Sequence, residues 1–305
     1  MGQGDCSGQQ QDRMKKVNLL EITQLDKQIP KNTDDFSKYH MDFLNIKFES
    51  TADFLPDVQT VPPKEVLLSH LHGHVLSAGI AFGIGTAKEE VKILTPNEKM
   101  LASLLANIVD KNGIIGGRDS FMDTFVDKLL RMLQFDECPL FMKLRPLILF
   151  SIFHKDIYST SDFSISRKGR MMIVNSDRHL KQASLHYGCA KYRLAGEMLA
   201  SSAWNYFIKG GSVEDDTFAV TVISSKFTFF KTCPSEEYLT DVHQGYQPLE
   251  SMVIYSYPPK QPGRLYAYLD YADPKEREEI VSVLLRIKAR LLADASYNKN
   301  TMYSM

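Results

Sequence analysis

Apolar residues recur at a helical period in several segments of the chain. Between Pro96 and Asp110, Met100, Leu101, Leu104, Leu105 and Ile108 form one stripe, with Thr95 placed to cap and Pro96 in the first turn. From Ser120 to Leu133 the spacing puts Phe121, Phe125, Leu129 and Met132 on one face and Asp123 and Asp127 on another. Ala190 to Phe207 reads as a helix that packs Leu194, Met198 and a run of Ala and Ser on a sheet, with Trp204 closing the end of that core. Pro274 to Ala293 carries the strongest helical signal: Asp273 caps, acids follow, and Ile280, Val283, Leu284, Ile287 and Leu291 form the stripe.

Other segments carry the short, β-branched and aromatic runs of strands. Ser161 to Ile165 and Met171 to Arg178 flank a turn centred on Gly169, Phe218 to Lys231 divides at Ser224-Ser225, and Met252 to Tyr257 adds a further strand. Helical and strand patterns interleave, which predicts an α/β domain.

The first 60 residues differ in character. Met1 to Arg13 is rich in Gly and Gln and has the composition of a disordered tail. Leu19 to Leu25 suits a short helix and Asp42 to Ser50 a segment docked on the body, before Pro56, Pro62 and Pro63 mark entry to the ordered region. The expected organisation is a partly disordered arm over 1–60, then a helical lead-in and an α/β domain over 61–300 whose core spans about 119–293.

Composition narrows the function classes. The chain has 305 residues, 44% hydrophobic and 24% charged, with a formal net charge of -1, so no global positive field drives nucleic-acid binding and any such contact needs a local basic patch. Cys6, Cys138, Cys189 and Cys233 are scattered with no C-x-x-C pair, which suits a reducing compartment rather than a disulfide framework or a zinc site. No apolar run reaches the ~18 residues of a membrane span, and no signal-peptide pattern follows Met1. An intracellular protein, nuclear or cytoplasmic, is expected; Gly2 lacks the Ser or Thr at position six of a myristoylation signal, which here is Cys6. His70, His72 and His74 lack further ligands nearby and read as surface histidines of a helix. Gly79, Gly83 and Gly85 fit no dinucleotide fingerprint, and no P-loop occurs.

The chemistry concentrates in the hairpin. Asp162 stands at the start of one strand, and Ser176, Asp177 and Arg178 end the next. Residues i and i+2 of a strand share a face, so Ser176 and Arg178 point together and Asp177 points away unless a bulge turns it. An acidic residue on one strand and an acid-x-lysine triplet on the next is the layout of the restriction-endonuclease-like, or PD-(D/E)XK, nucleases. There the carboxylates hold Mg²⁺, which activates water and polarises the phosphate. Here serine replaces the second carboxylate, and arginine, which keeps its proton, replaces the lysine and suits a phosphate clamp rather than a base.

Flanking segments extend the resemblance. His154-Lys155-Asp156, Tyr158-Ser159, Ser161-Asp162-Phe163, Leu194-Ala195-Gly196-Glu197-Met198-Leu199-Ala200, Phe218-Ala219-Val220-Thr221-Val222-Ile223-Ser224, Glu237-Tyr238 and Leu269-Asp270 with Asp273-Pro274 follow one another in order. Over Leu144 to about Leu292 the chain resembles an uncharacterised fungal family similar to the nuclease-like domains of Crinkler-type proteins. The resemblance implies a mixed central sheet flanked by helices, of the restriction-endonuclease-like type, with an N-terminal extension. It matches Asp162 to a metal-binding aspartate and Glu197 to a retained glutamate. Ser176, Arg178 and Arg193 stand where it implies glutamate, lysine and glutamine. In such folds a helix carboxylate ahead of the first strand sometimes completes the metal site, which brings in Asp119, Asp123 and Asp127.

The leading expectation is a catalytically impaired nuclease-like protein that retains DNA or RNA binding, with Arg178, Lys181 and Arg193 as phosphate contacts. A second reading keeps Mg²⁺-dependent cleavage through Asp162 with Asp177 or a helix carboxylate such as Asp123. A third is a protein-interaction scaffold without nucleic-acid contact, its partner unspecified.

Overall fold

The structure, a computed structural model, describes residues 29–68, 94–109, 118–152, 155–168, 170–177, 180–208, 215–260 and 267–293. A 3₁₀ turn at Thr33–Asp35 and helix α1 (Lys38–Phe43) lead to strand β1 (Ile46–Ser50), followed by helices α2 (Lys64–Leu67), α3 (Pro96–Val109) and α4 (Arg118–Met132). Strands β2 (Phe141–Leu144), β3 (Leu147–Ile152), β4 (Lys155–Thr160), β5 (Phe163–Arg167) and β6 (Arg170–Asp177) precede the long helix α5 (Leu180–Phe207). The remainder is β7 (Thr217–Ile223), β8 (Lys226–Thr232), α6 (Glu236–Gln244), β9 (Met252–Tyr257), β10 (Leu269–Asp270) and α7 (Pro274–Leu292).

The strands form a mixed eight-stranded sheet in the order β1-β9-β8-β7-β6-β5-β2, with β10 beside β8. Two pairs, β1 with β9 and β6 with β7, are parallel. A parallel pair needs a crossover connection, and α5 makes the one between β6 and β7. Strands β3 and β4 form a separate antiparallel hairpin.

Side-chain alternation divides the sheet into two apolar faces. Met172 and Val174 of β6 join Phe218, Val220, Phe227 and Phe229 beneath α3, α4 and α7. Met171 and Ile173 of the same strand join Ala219, Met252 and Ile254 beneath α1, α5, α6 and the β3–β4 hairpin. The molecule is thus an α/β protein with helices on both faces of its sheet.

The caps explain where the helices start. Thr95 Oγ1 accepts the Glu98 N–H at 3.2 Å and Glu98 returns a bond to the Thr95 N–H at 2.8 Å, a reciprocal capping box. Asp273 accepts the Lys275 and Glu276 N–H groups ahead of Pro274. All five residues of the expected α7 stripe are buried, each such side chain contributing about 1.5–3 kcal/mol. The wholly buried Arg277 joins α7 to the end of α2, donating to the Tyr271 carbonyl at 2.7 Å and the Leu67 carbonyl at 2.8 Å.

Two expectations need correction. In α4 the buried stripe is Met122, Phe125, Val126, Leu129 and Leu130, with Phe121 exposed; α4 meets both α3 and the sheet, so its apolar arc is wider than the single row read from the spacing. Helix α5 starts at Leu180 rather than Ala190; the apolar run from Leu194 marks only part of the helix. Within the stretch expected to dock on the body, β1 is an edge strand of the central sheet, in register from Ile46 with Met252 to Ser50 with Ser256. The stretches Leu19–Leu25, His70–His74 and Gly79–Gly85 lie outside the described residues.

Candidate functional site

Asp162 occupies the two-residue link between β4 and β5, and both of its backbone groups are tied down. Its N–H donates to the Val174 carbonyl at 3.1 Å, and its carbonyl accepts the Arg145 N–H at 2.8 Å. The carboxylate is thereby aimed at the end of β6. There its Oδ2 accepts the Ser176 N–H at 2.6 Å and the Ser176 Oγ–H at 2.9 Å. From α4, Asp123 Oδ1 lies 2.7 Å from the same Ser176 Oγ. Ser176 follows Val174 by two residues and shares its face, which is the face α4 covers.

Two carboxylates therefore meet on one hydroxyl. A serine carries a single proton and donates to one acceptor at a time, so the second carboxylate faces a lone pair and the site remains strongly anionic. Arg145 is drawn toward it, its Nη2 3.9 Å from Asp123 Oδ2 with the side chain 80% exposed. A pair this long and exposed contributes about 0–1 kcal/mol. The donor set, two carboxylates and a neutral hydroxyl, fits a weakly held Mg²⁺, which takes oxygen ligands and usually completes its shell with water and substrate phosphate. Among the described residues no cluster gathers three or more His, Cys, Asp or Glu.

A second polar group lies on the opposite face of β6, reached through Asn175. Its Nδ2 donates to Glu197 Oε2, and Glu197 Oε1 accepts from Arg193 Nε at 2.7 Å. Arg193 also pairs with Asp34 of the 3₁₀ turn at 2.9 Å and donates to the Thr160 carbonyl at 3.3 Å. Glu197 is fully buried, and burial pushes its pKa up to about 7, with Arg193 and Asn175 pulling the other way. Burial opposes the Arg193 charge, but Glu197 and Asp34 outweigh it and leave its pKa above the ordinary value. Asn175 Oδ1 is buried with no partner among the described residues.

The expected site residues therefore part ways. Asp162, Ser176 and Asp123 converge. Asp127 faces solvent and pairs with Arg131 at 2.9 Å. Arg193, expected as a phosphate contact, pairs with Glu197 and Asp34 and donates to the Thr160 carbonyl, with its side chain 42% exposed and Asp162 also favouring its charge. Asp177 ends β6 and Lys181 lies in the first turn of α5, but their side chains, that of Asp119 and the whole of Arg178 lie outside the described residues. Sequence reasoning missed Arg145, which sits in a loop before Pro146 where no strand or helix period places it. It also left Glu197 without a role, although the i,i+4 pair with Arg193 was there to be read.

A groove of about 510 Å³ lined by Asp53, Phe54, Tyr257, Glu279 and Arg286 includes none of these residues. Burial and the neighbouring Glu279 raise the Tyr257 pKa to about 12. No helix among the described residues is long and apolar enough to cross a membrane.

Fold and site together define a mixed α/β protein with an acidic pair at the end of a central strand. No protein-family model and no curated protein matches the chain. The crystal structure of SSO0001 is similar over 62% of this chain and 78% of its own, at 12% identity and a TM-score of 0.26, a likeness too distant to bear on function.

Proposed function

We propose that this chain is a nuclease-like protein of the restriction-endonuclease-like type whose chemistry is impaired and whose nucleic-acid binding is retained. The convergence of Asp123 and Asp162 on the Ser176 hydroxyl carries this reading. It fits the layout of a metal-dependent phosphodiesterase site in which serine stands in place of the motif's second carboxylate and a helix carboxylate, Asp123, joins Asp162. Asp123 and Asp162 would hold a divalent ion, and that ion would supply water activation and charge neutralisation at the phosphate. With only a hydroxyl between them and Arg145 beside Asp123, the two carboxylates bind such an ion weakly.

The second reading, residual Mg²⁺-dependent cleavage, draws on the same pair, because a helix carboxylate does reach the position opposite Asp162. One experiment separates the two: cleavage of labelled DNA and RNA with Mg²⁺ or Mn²⁺ by the unmodified protein, Asp162→Ala, and the double variant Ser176→Glu/Arg178→Lys. The impaired-enzyme reading expects no cleavage by the unmodified protein and gain of cleavage in the double variant, whose new carboxylate would enter between Asp123 and Asp162. Cleavage by the unmodified protein that is lost in Asp162→Ala establishes the second reading instead. Absence of any nucleic-acid binding at low salt overturns the retained-binding half of the proposal.

A further inference from the structure

Arg145 sits between β2 and β3 with φ of 45°. That is left-handed backbone, costly for any residue but glycine, and a following proline pushes the preceding residue toward extended geometry. The strained residue is fixed by the bond from its N–H to the carbonyl of Asp162. Its side chain gains little in return, since the guanidinium is mostly in solvent and touches Asp123 only at the outer limit of an ion pair. The backbone bond to Asp162 sets where the residue sits, while the side chain itself is held neither by packing nor by a close ion pair. The effect is to hold a permanently charged, fork-shaped donor at the mouth of a site lined by two carboxylates.

Building on the nucleic-acid-binding reading above, we propose that Arg145 is the phosphodiester-binding residue of this site, its guanidinium taking two non-bridging oxygens of one backbone phosphate beside Asp123 and Asp162. A planar guanidinium matches that geometry bidentately. An approaching phosphate meets repulsion from both aspartates, and the adjacent cation offsets it while giving up only a loose contact with Asp123. Arg193, the other arginine near Asp162, already pairs with Glu197 and Asp34 and donates to the Thr160 carbonyl, whereas Arg145 has only the loose contact with Asp123 to give up. Lys143, exposed on the edge strand β2 two residues earlier, extends positive charge along the same border.

The test is fluorescence anisotropy of short labelled single- and double-stranded oligonucleotides across a range of salt concentrations, with wild type, Arg145→Ala and Arg145→Lys, each checked by thermal melting. Removing one phosphate contact is expected to weaken binding about tenfold and to lower the slope of log affinity against log salt by about one. Arg145→Lys is expected to keep the salt slope, because the charge remains, and to lose part of the affinity with the fork. Wild-type affinity and slope in Arg145→Ala overturn the assignment while leaving nucleic-acid binding intact. Failure of wild type itself to bind at low salt overturns both the assignment and the reading beneath it.

Discussion

Glu197 makes the stability of this protein depend on pH in a direction opposite to the usual salt-bridged carboxylate. Burial raises its folded pKa from 4.5 to about 7, so the native state holds a proton that the unfolded chain has released. Stability from this group is fully present below about pH 4.5, declines as pH rises, and is gone above about pH 7. Each pH unit separating the folded and unfolded values is worth about 1.4 kcal/mol, so the loss across the interval amounts to about 3 kcal/mol. Glu197→Gln reproduces the protonated form at every pH. Urea unfolding at pH 5 and pH 8 should show wild type losing about 2–3 kcal/mol more than Glu197→Gln across that interval, with unchanged m-values. Equal losses in the two proteins would mean that Glu197 is ionised throughout and that Arg193 outweighs its burial.

Other outcomes follow from the same geometry. Asp162→Ala strips the Ser176 N–H of its acceptor, leaves the hydroxyl to Asp123, and should cost about 1–3 kcal/mol in chemical denaturation, whether or not the protein cleaves anything. Gly196→Ala places a Cβ 3.0 Å from the Phe36 ring and 3.1 Å from Thr33; overpacking of about 1–3 kcal/mol should exceed the ~1 kcal/mol gain in helix propensity and show as a lowered Tm. Leu284→Ala in the α7 stripe should cost about 2–5 kcal/mol by the same assay.

The legible parts of this molecule were those written in local pattern. The α7 stripe, its Asp273 cap, the β5–β6 hairpin and the β7–β8 turn at Ser224 all depend on residues close in sequence. Non-local pairing was not legible. Nothing within Ile46–Ser50 announces a parallel partner at Met252–Tyr257, and nothing in the β3–β4 run distinguishes a separate hairpin from another strand of the main sheet. At the site, Asp162 and Ser176 were readable from strand register. Asp123 was one of three helix acids until packing chose it, and the Arg193 pairing with Glu197 was not drawn from the sequence because a motif position says nothing of a glutamate one turn away. Arg145 owes its position to a loop bond with Asp162, which no periodicity encodes.

The parallel pairing of β1 with β9 also bears on how the chain must assemble during synthesis. Asn45, just ahead of β1, bonds Ser251, which lies 206 residues later. At ~5–20 residues per second, about 10–40 s pass between the emergence of the two from the ribosome. For that interval Ile46 and Phe48 have no partner strand, and a nascent strand with unpaired backbone groups is a template for pairing with other chains. Closure of the sheet edge is therefore a late folding event, and the N-terminal strand spends the longest time exposed to chaperones or to misassembly.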